Sequence, residues 1–415
     1  MKKLTYIALM VLAVFSVSCR NRVTGNRFMT PFVARVLEDT ASYEHGVMAS
    51  YLPGGKTGSI AVIGEPEETV LLTEALLTSD RFDNINGKPV SDGLPDFAGE
   101  VFAPILDVAN APYRGYVRAA NEDFLSELSV RNFIAALDTA CNLSSYDTDR
   151  LVHKSAAKMV ILSSSYASAY GYYDIDTLCQ LAGKPVAVIP VAQAMLDHAW
   201  ERHGNGLHLG VWTTSDVIGA GVWSTVFPRS AREHGDPAAR YEAFSPDSSH
   251  TVLDRFLEFM RKYASVGKPA RLSALVLDDP SVSVDSLRAA VQSVMQVDRD
   301  RYITYRNLLT DDFEVIDPAS SVASVCYSYL RKTNRFTHKV AYPDAKLYAT
   351  APVNGLPESA YTPDGWLTDE FRYMRAVNLD EPSYSLVELK DKYITPELLE
   401  MMLAVTPKLF ALYVR

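Results

Sequence analysis

Cysteine is scarce in this chain, with 4 in 415 residues, which excludes a scaffold held together by a disulfide framework. Positive charge is short too: 40 Lys and Arg stand against 50 Asp and Glu, a net charge of −10. A protein that binds nucleic acid regardless of sequence needs a basic face to displace phosphate counterions, and this balance argues against one. Beyond the first segment no apolar run is long enough to span a bilayer. The Gly-x-Ser-x-Gly elbow, the P-loop and the His-Glu-x-x-His pair are all missing. What is present is ordinary globular composition, 48% hydrophobic and 22% charged, in a length that suits two or three domains at roughly 100–200 residues each.

The chain opens as an export signal over residues 1–18. Lys2 and Lys3 precede an apolar core from Ile7 to Val17, and the small residues Ser16 and Ser18 stand just before Cys19. This arrangement resembles the lipobox of bacterial lipoproteins, with Ser16 where that pattern usually has Leu. The resemblance implies lipidation of Cys19 and anchoring at the outer membrane facing the periplasm, since residue 20 is Arg and not the Asp of an inner-membrane retention signal. A soluble exported protein cleaved nearby is the alternative. Residues 19–57 read as a tether whose basic bias comes from Arg20, Arg22, Arg27 and Arg35. The remaining thiols, Cys141, Cys179 and Cys326, are odd in number, so at least one is free or pairs outside the chain.

From residue 59 short apolar runs alternate with helical periodicity. The runs are Ile60–Ile63, Lys158–Leu162, Val186–Ile189, Leu207–Trp212 and Leu272–Leu277. Runs apolar on both faces suit strands of a parallel sheet covered by helices. Between them, Val130, Phe133, Ile134, Leu137 and Cys141 form one stripe, Val252, Phe256, Phe259 and Tyr263 a second, and Val284, Leu287, Val291 and Val294 a third, behind an N-cap at Ser283. Thr395-Pro396-Glu397 opens a last helix to about Val405. The pattern predicts an α/β protein of two doubly wound parallel-sheet lobes with a cleft between them. The first lobe spans residues 58–200, the second 201–345, and a crossover segment with the C-terminal helix 346–415. Residues 311–390, rich in Asp, Pro, Tyr and Asn, read as the end of the second lobe plus irregular crossover structure.

In residues 151–195 a lysine-led strand meets the turn Ser163–Ser165, a helix follows from about Asp174 to Ala182, and Gly183-Lys184-Pro185-Val186 leads into the next strand. This stretch resembles the first lobe of type 1 periplasmic solute-binding proteins, and residues 59–76 are similar to that family's opening strand and helix. The resemblance implies a cleft, reversible capture of a small polar molecule, and no catalysis.

In an open α/β sheet ligands sit beyond the carboxyl ends of the strands. That rule selects Glu65, the turn Ser163, Ser164, Ser165 and Tyr166, then Gln193, Trp212, Thr213, Asp216 and Asp278 as candidate ligand-binding residues. The hydroxyls suit a polar ligand and the tyrosines offer stacking surface. Glu65, Glu67 and Glu68 occupy the place where a phosphate-binding turn needs an uncrowded helix start, so the ligand is expected to be neutral or cationic. His198, His203 and His208 are spaced by five and share no helix face, and no metal or other cofactor is expected. Ala140-Cys141-Asn142 resembles the first cysteine motif of aspartate/glutamate racemases, but the second motif, Gly-Cys-Thr-His, is absent and Cys326 sits in Val325-Cys326-Tyr327. Cys141 therefore reads as a buried structural thiol.

The leading expectation is a non-enzymatic, lipid-anchored periplasmic protein that captures a small polar solute for uptake or sensing. Its partners would be that solute, the membrane through its anchor, and a membrane transporter or sensor, with no nucleic acid. Two alternatives stand beside it. One is an exported α/β enzyme, a hydrolase or racemase, drawing its acids from Asp216, Asp278 or Asp279. The other is an envelope scaffolding protein.

Overall fold

The computed structural model describes residues 30–415 apart from 54, 247–249, 297–299, 338 and 378–381. The proposed signal and Cys19 lie outside the described residues. The protein is a two-lobed α/β fold with one sheet in each lobe.

The first sheet has nine strands. Its centre is β1 (Ser59–Gly64) between β2 (Val101–Leu106) and β5 (Ala157–Leu162), with β6 (Ala187–Pro190) outside β5, all parallel. Every residue of β1 and β5 is buried, as a strand covered by helices on both faces requires. The sheet then widens on the other side of β2. There β12 (Tyr348–Pro352) pairs with β2 in parallel and β13 (Tyr384–Glu388) pairs antiparallel with β12. The hairpin of β3 (Ala140–Ser144) and β4 (Asp147–His153) closes that edge through β13, and the short β11 (Asp344–Ala345) pairs with β2. The second sheet is entirely parallel, in the order β10 (Leu309–Ile316), β9 (Leu272–Asp278), β7 (His208–Thr213), β8 (Arg240–Phe244).

Three expectations change. Residues 30–50 of the expected tether form two helices, Pro31–Glu38 and Tyr43–Ser50, with Phe32 and Val33 fully buried. Arg131 holds them from the first lobe, its guanidinium 4.0 Å from the Phe32 ring centre and 3.0 Å from Glu44. Second, the helix carrying Val130 to Leu137 ends at Leu137, and Cys141 lies on β3 instead of extending its stripe. Third, residues 311–390 do finish the second sheet, but the crossover after it is less irregular than expected. They contain β10, the helix Pro318–Lys332 and the strands β12 and β13, which return the chain to the first sheet. Local periodicity misses this return, because the β12–β13 pair joins the first sheet through β2 and β3, strands far away in sequence. Among the described residues no helix is long and apolar enough to cross a membrane.

Candidate active site

The carboxyl ends of β1 and β5 in the first lobe face those of β7 and β9 in the second. Between them lies a cavity of about 120 Å³ lined by Glu68, Leu71, Leu72, Ser163, Ser165, Val191, Leu277, Asp278, Asp279, Pro280, Pro318 and Ala319. An acid from each lobe, Glu68 and Asp278, therefore meets one small, partly apolar enclosure.

The first-lobe wall is built by close backbone approach. Ser163 donates its backbone N–H to the Ile63 carbonyl at 2.9 Å and its Oγ lies 2.8 Å from Thr69 Oγ1. A Cβ on Gly64 would lie 2.4 Å from Ser163 Oγ and 3.2 Å from the Ser164 nitrogen, so only glycine lets the two turns touch. Pro66 then starts the helix Pro66–Thr78 at its first turn. Glu65, at the N-cap position, makes no cap bond of its own. Its carboxylate accepts instead from the Tyr113 N–H at 2.9 Å and from Ser164 Oγ at 3.0 Å. Burial raises the Glu65 carboxyl to about 7, against the lowering effect of those two bonds. Glu68 is raised well above the ordinary glutamate range, first by burial and then by the negative charge of Glu65.

The second-lobe wall is held by donors from its core. Asp278 Oδ2 accepts from Trp223 Nε1 at 2.7 Å and Thr213 Oγ1 at 3.0 Å. Burial lifts Asp278 to about 7, although Trp223, Thr213 and Ser165 all hydrogen-bond its carboxylate. Asp279 is tied down differently. It pairs with the buried Arg255 at 3.1 Å and accepts from Trp212 Nε1 at 3.3 Å and Ser281 Oγ at 2.6 Å. With its charge matched by Arg255, Asp279 is a wall and Asp278 is the free acid.

The sequence-selected residues thus take different places. Ser163, Ser165 and Asp278 line the cavity, and Ser164 positions Glu65. Tyr166 is buried with an unpartnered hydroxyl, in the electrostatic reach of Glu65, Asp216 and Asp278. Thr213 and Trp212 hold the two aspartates from behind, with Trp212 wholly buried. Asp216 is engaged by Arg114 at 3.1 Å and by Arg118, an ion-pair bridge from one lobe to the other. Gln193 does not reach the cavity, and its amide donates to the Ser168 carbonyl at 3.4 Å. In the sequence Glu68 looks only like one of three acids at a helix start. Glu68 lines the cavity while Glu65, three residues before it, turns to Tyr113 and Ser164.

Among the described residues no group of three or more His, Cys, Asp or Glu side chains is placed to hold a metal ion. Cys141, Cys179 and Cys326 are free and buried, none lines the cavity, and burial raises all three thiols, Cys179 to about 12. Proton chemistry at the cavity therefore falls to carboxyls. A carboxyl raised from its unfolded value of about 4 to about 7 binds a proton in the folded state that the unfolded chain has already lost. Its contribution to stability is present below about pH 4 and is lost as the pH rises to 7. Asp278→Asn, which keeps an acceptor for Trp223 and Thr213, is accordingly expected to melt above the parent protein at pH 8. That gap should close between pH 7 and pH 4, and thermal melts of both proteins across this range measure it.

No family model matches the chain, and no curated protein matches its sequence. Among solved structures it is similar to the glutamate racemase of Francisella tularensis in complex with D-glutamate, at 15% identity and a TM-score of 0.43, covering 78% of this chain and 96% of that one. It is also similar to the Thermus thermophilus glutamate racemase in complex with beta-chloro-D-alanine, at 15% identity and 0.41, over 73% and 90% of the two chains. A glutamate racemase isoform from Bacillus anthracis follows at 14% identity and 0.40, over 71% and 89%. These findings correct the expected kinship with type 1 solute-binding proteins, and with it the reading as a transport protein without catalysis. A strand, a Ser-rich turn and a helix leading to a Gly-x-Pro strand are features that any doubly wound lobe can carry. At such low identity and overlap, the chemistry of this chain rests on its own side chains.

Proposed function

We propose that this protein is an enzyme that moves a proton on and off a small polar molecule enclosed between its lobes, with Glu68 and Asp278 as the acid–base pair. The observation that carries this reading is their placement, one from each lobe, on the same enclosed cavity. A stereocentre beside a carbonyl is inverted when a base removes its proton from one face and an acid returns a proton to the other. In that step the C–H electron pair passes into the carbonyl as one carboxylate gains the proton, and returns as the other carboxyl gives its proton up. Carboxyls raised by burial are stronger bases than ordinary ones, and Asp278 at about 7 is found in either state near neutral pH. The Glu65 carboxyl, fixed by Tyr113 and Ser164, keeps Glu68 basic by its charge. The acid lining favours a neutral or amine-bearing substrate over a dianion. With the export signal read at residues 1–18, that substrate is a small molecule of the cell envelope or a nutrient.

The test is proton exchange. The full-length protein is incubated in D2O with neutral and basic α-amino acids and 2-hydroxy acids, and loss of the Cα–H signal is followed by proton NMR alongside optical rotation. Exchange with loss of rotation is expected for one class. Cleavage without exchange would replace this reading with a hydrolase, and an unchanged panel would reject proton transfer on these classes.

A further inference from the structure

Behind Glu65, on the far side of β2, the first lobe buries a second polar cluster that the cavity chemistry does not use. The guanidinium of Arg375 packs 4.7 Å from the Phe124 ring centre and 5.7 Å from that of Tyr384, and the Tyr116 ring lies tilted at 5.6 Å from the same Phe124. Arg375, Tyr384 and Tyr116 are 8%, 6% and 0% exposed. Arg375 Nη1, Tyr384 Oη and Tyr116 Oη are all buried without a hydrogen-bond partner, and so is Arg372 Nε beside them. Among the described residues no acid forms an ion pair with Arg375, although the charge of Glu127 reaches it. Glu127 is held by Arg131 at 2.8 Å, and Asp107 already accepts from Tyr113, Asn110, Asn132 and Thr350. A buried cation without a counter-charge costs several kcal/mol, and buried hydroxyls without partners add to that cost. Four donors without partners, two of them on guanidinium groups, are thus buried in one cluster, although the other two nitrogens of Arg372 donate to the Ala111 and Leu367 carbonyls, and an oxyanion supplies acceptors and negative charge together.

We infer that Arg375, Tyr384, Tyr116 and Arg372 form a binding site for a small oxyanion, a carboxylate or a phosphate, separate from the cavity between the lobes. Arginine presents a planar fork matched to such oxygens, and the two phenols add neutral donors. The site sits at the carboxyl end of β12 and the start of β13, so its occupant would fasten the strand pair that the C-terminal half of the chain adds to the first sheet.

The experiment is a thermal-shift titration of the full-length protein with sodium acetate and, separately, sodium phosphate, at fixed pH and with ionic strength held constant by sodium chloride. A specific site gives a saturable rise, about 3–5 °C at saturation, for at least one of the two anions. Arg375→Met removes the unmatched charge, so it is expected to lose the rise and to melt no lower than the parent in chloride alone. Tyr384→Phe keeps the charge and is expected to shift the half-saturating concentration upward about tenfold. Saturation by acetate alone assigns a carboxylate site, and saturation by phosphate a phosphate site. A flat or linear response in the parent protein for both anions overturns the inference. So does a saturable rise that survives unchanged in both variants. Should Arg375→Met fail to fold, the Tyr384→Phe titration decides alone. Failure of this test leaves the proton-transfer reading of the cavity untouched, because no residue is shared.

Discussion

Glu68→Gln and Asp278→Asn should each lower the rate of proton exchange about a thousandfold, within the range set by loss of a positioned general acid or base. The double variant should be only slightly slower than either single one, because both groups act in one event and neither helps without the other. Neither loss should come from unfolding. Both carboxyls are held above their ordinary range by burial, so amides of the same shape remove a charge that the folded state carries at a cost. The two variants are expected to melt at or above the parent temperature at pH 8 while losing turnover. That opposition of activity and stability is the signature of an acid kept for function. Single-turnover exchange rates and melting curves on the same preparations measure it. Full activity in both variants would remove these residues from the chemistry.

Asp107→Ala should cost about 3–5 kcal/mol of folding stability, the largest loss expected from one truncation in the first lobe. Asp107 stands just beyond β2, fully buried, and accepts from Thr350 Oγ1 and Asn110 Nδ2 at 2.6 Å, Tyr113 Oη at 2.7 Å and Asn132 Nδ2 at 2.8 Å. Truncation leaves four buried donors without their acceptor. Thr350→Val strips one of those bonds, together with the one Thr350 Oγ1 accepts from the Ala109 N–H, and should cost about 1–2 kcal/mol. The same change reaches the candidate site, because Tyr113 also presents its backbone N–H to Glu65. Denaturant unfolding of the two variants gives the comparison. Equal losses in both would show that Asp107 does not organise this network.

Parts of the molecule were legible from the residues. Ile60–Ile63, Lys158–Leu162, Val186–Ile189, Leu207–Trp212 and Leu272–Leu277 fall within β1, β5, β6, β7 and β9 or extend one residue beyond them, because a strand buried on both faces must be apolar throughout. Ser283 and Thr395 cap the helices they were expected to open, each side chain accepting an N–H from the first turn. The end of the helix at Leu137 was hidden, since Cys141 continues the apolar stripe by chance of spacing while serving β3. The pairing of β12 and β13 with the first sheet was hidden as well, because it joins segments hundreds of residues apart, such as Tyr348 opposite Ile105.

The candidate site divides in the same way. The rule that strand ends carry ligands led from local pattern to Glu65, the Ser163–Tyr166 turn and Asp278, residues that stand at neighbouring turns in the fold. Glu68 gave no local sign of separate importance, and Trp212 and Asp216 look alike in sequence though one is core and the other an ion-paired bridge between lobes.

By itself the sequence determined which segments become strands and helices, the acidic character of the turns, and the want of thiols and phosphate loops at them. Those properties live in neighbouring residues, where spacing and chemistry act directly. Only the tertiary structure decided that Glu68 and Asp278 meet, that Asp279 is paired with Arg255 while Asp278 is not, and that Arg375 is buried with no ion-pair partner among the described residues. Each of these depends on burial and on distances between residues remote in the chain. Those quantities set the free energy of a charge, and they exist only once the two lobes have folded against one another.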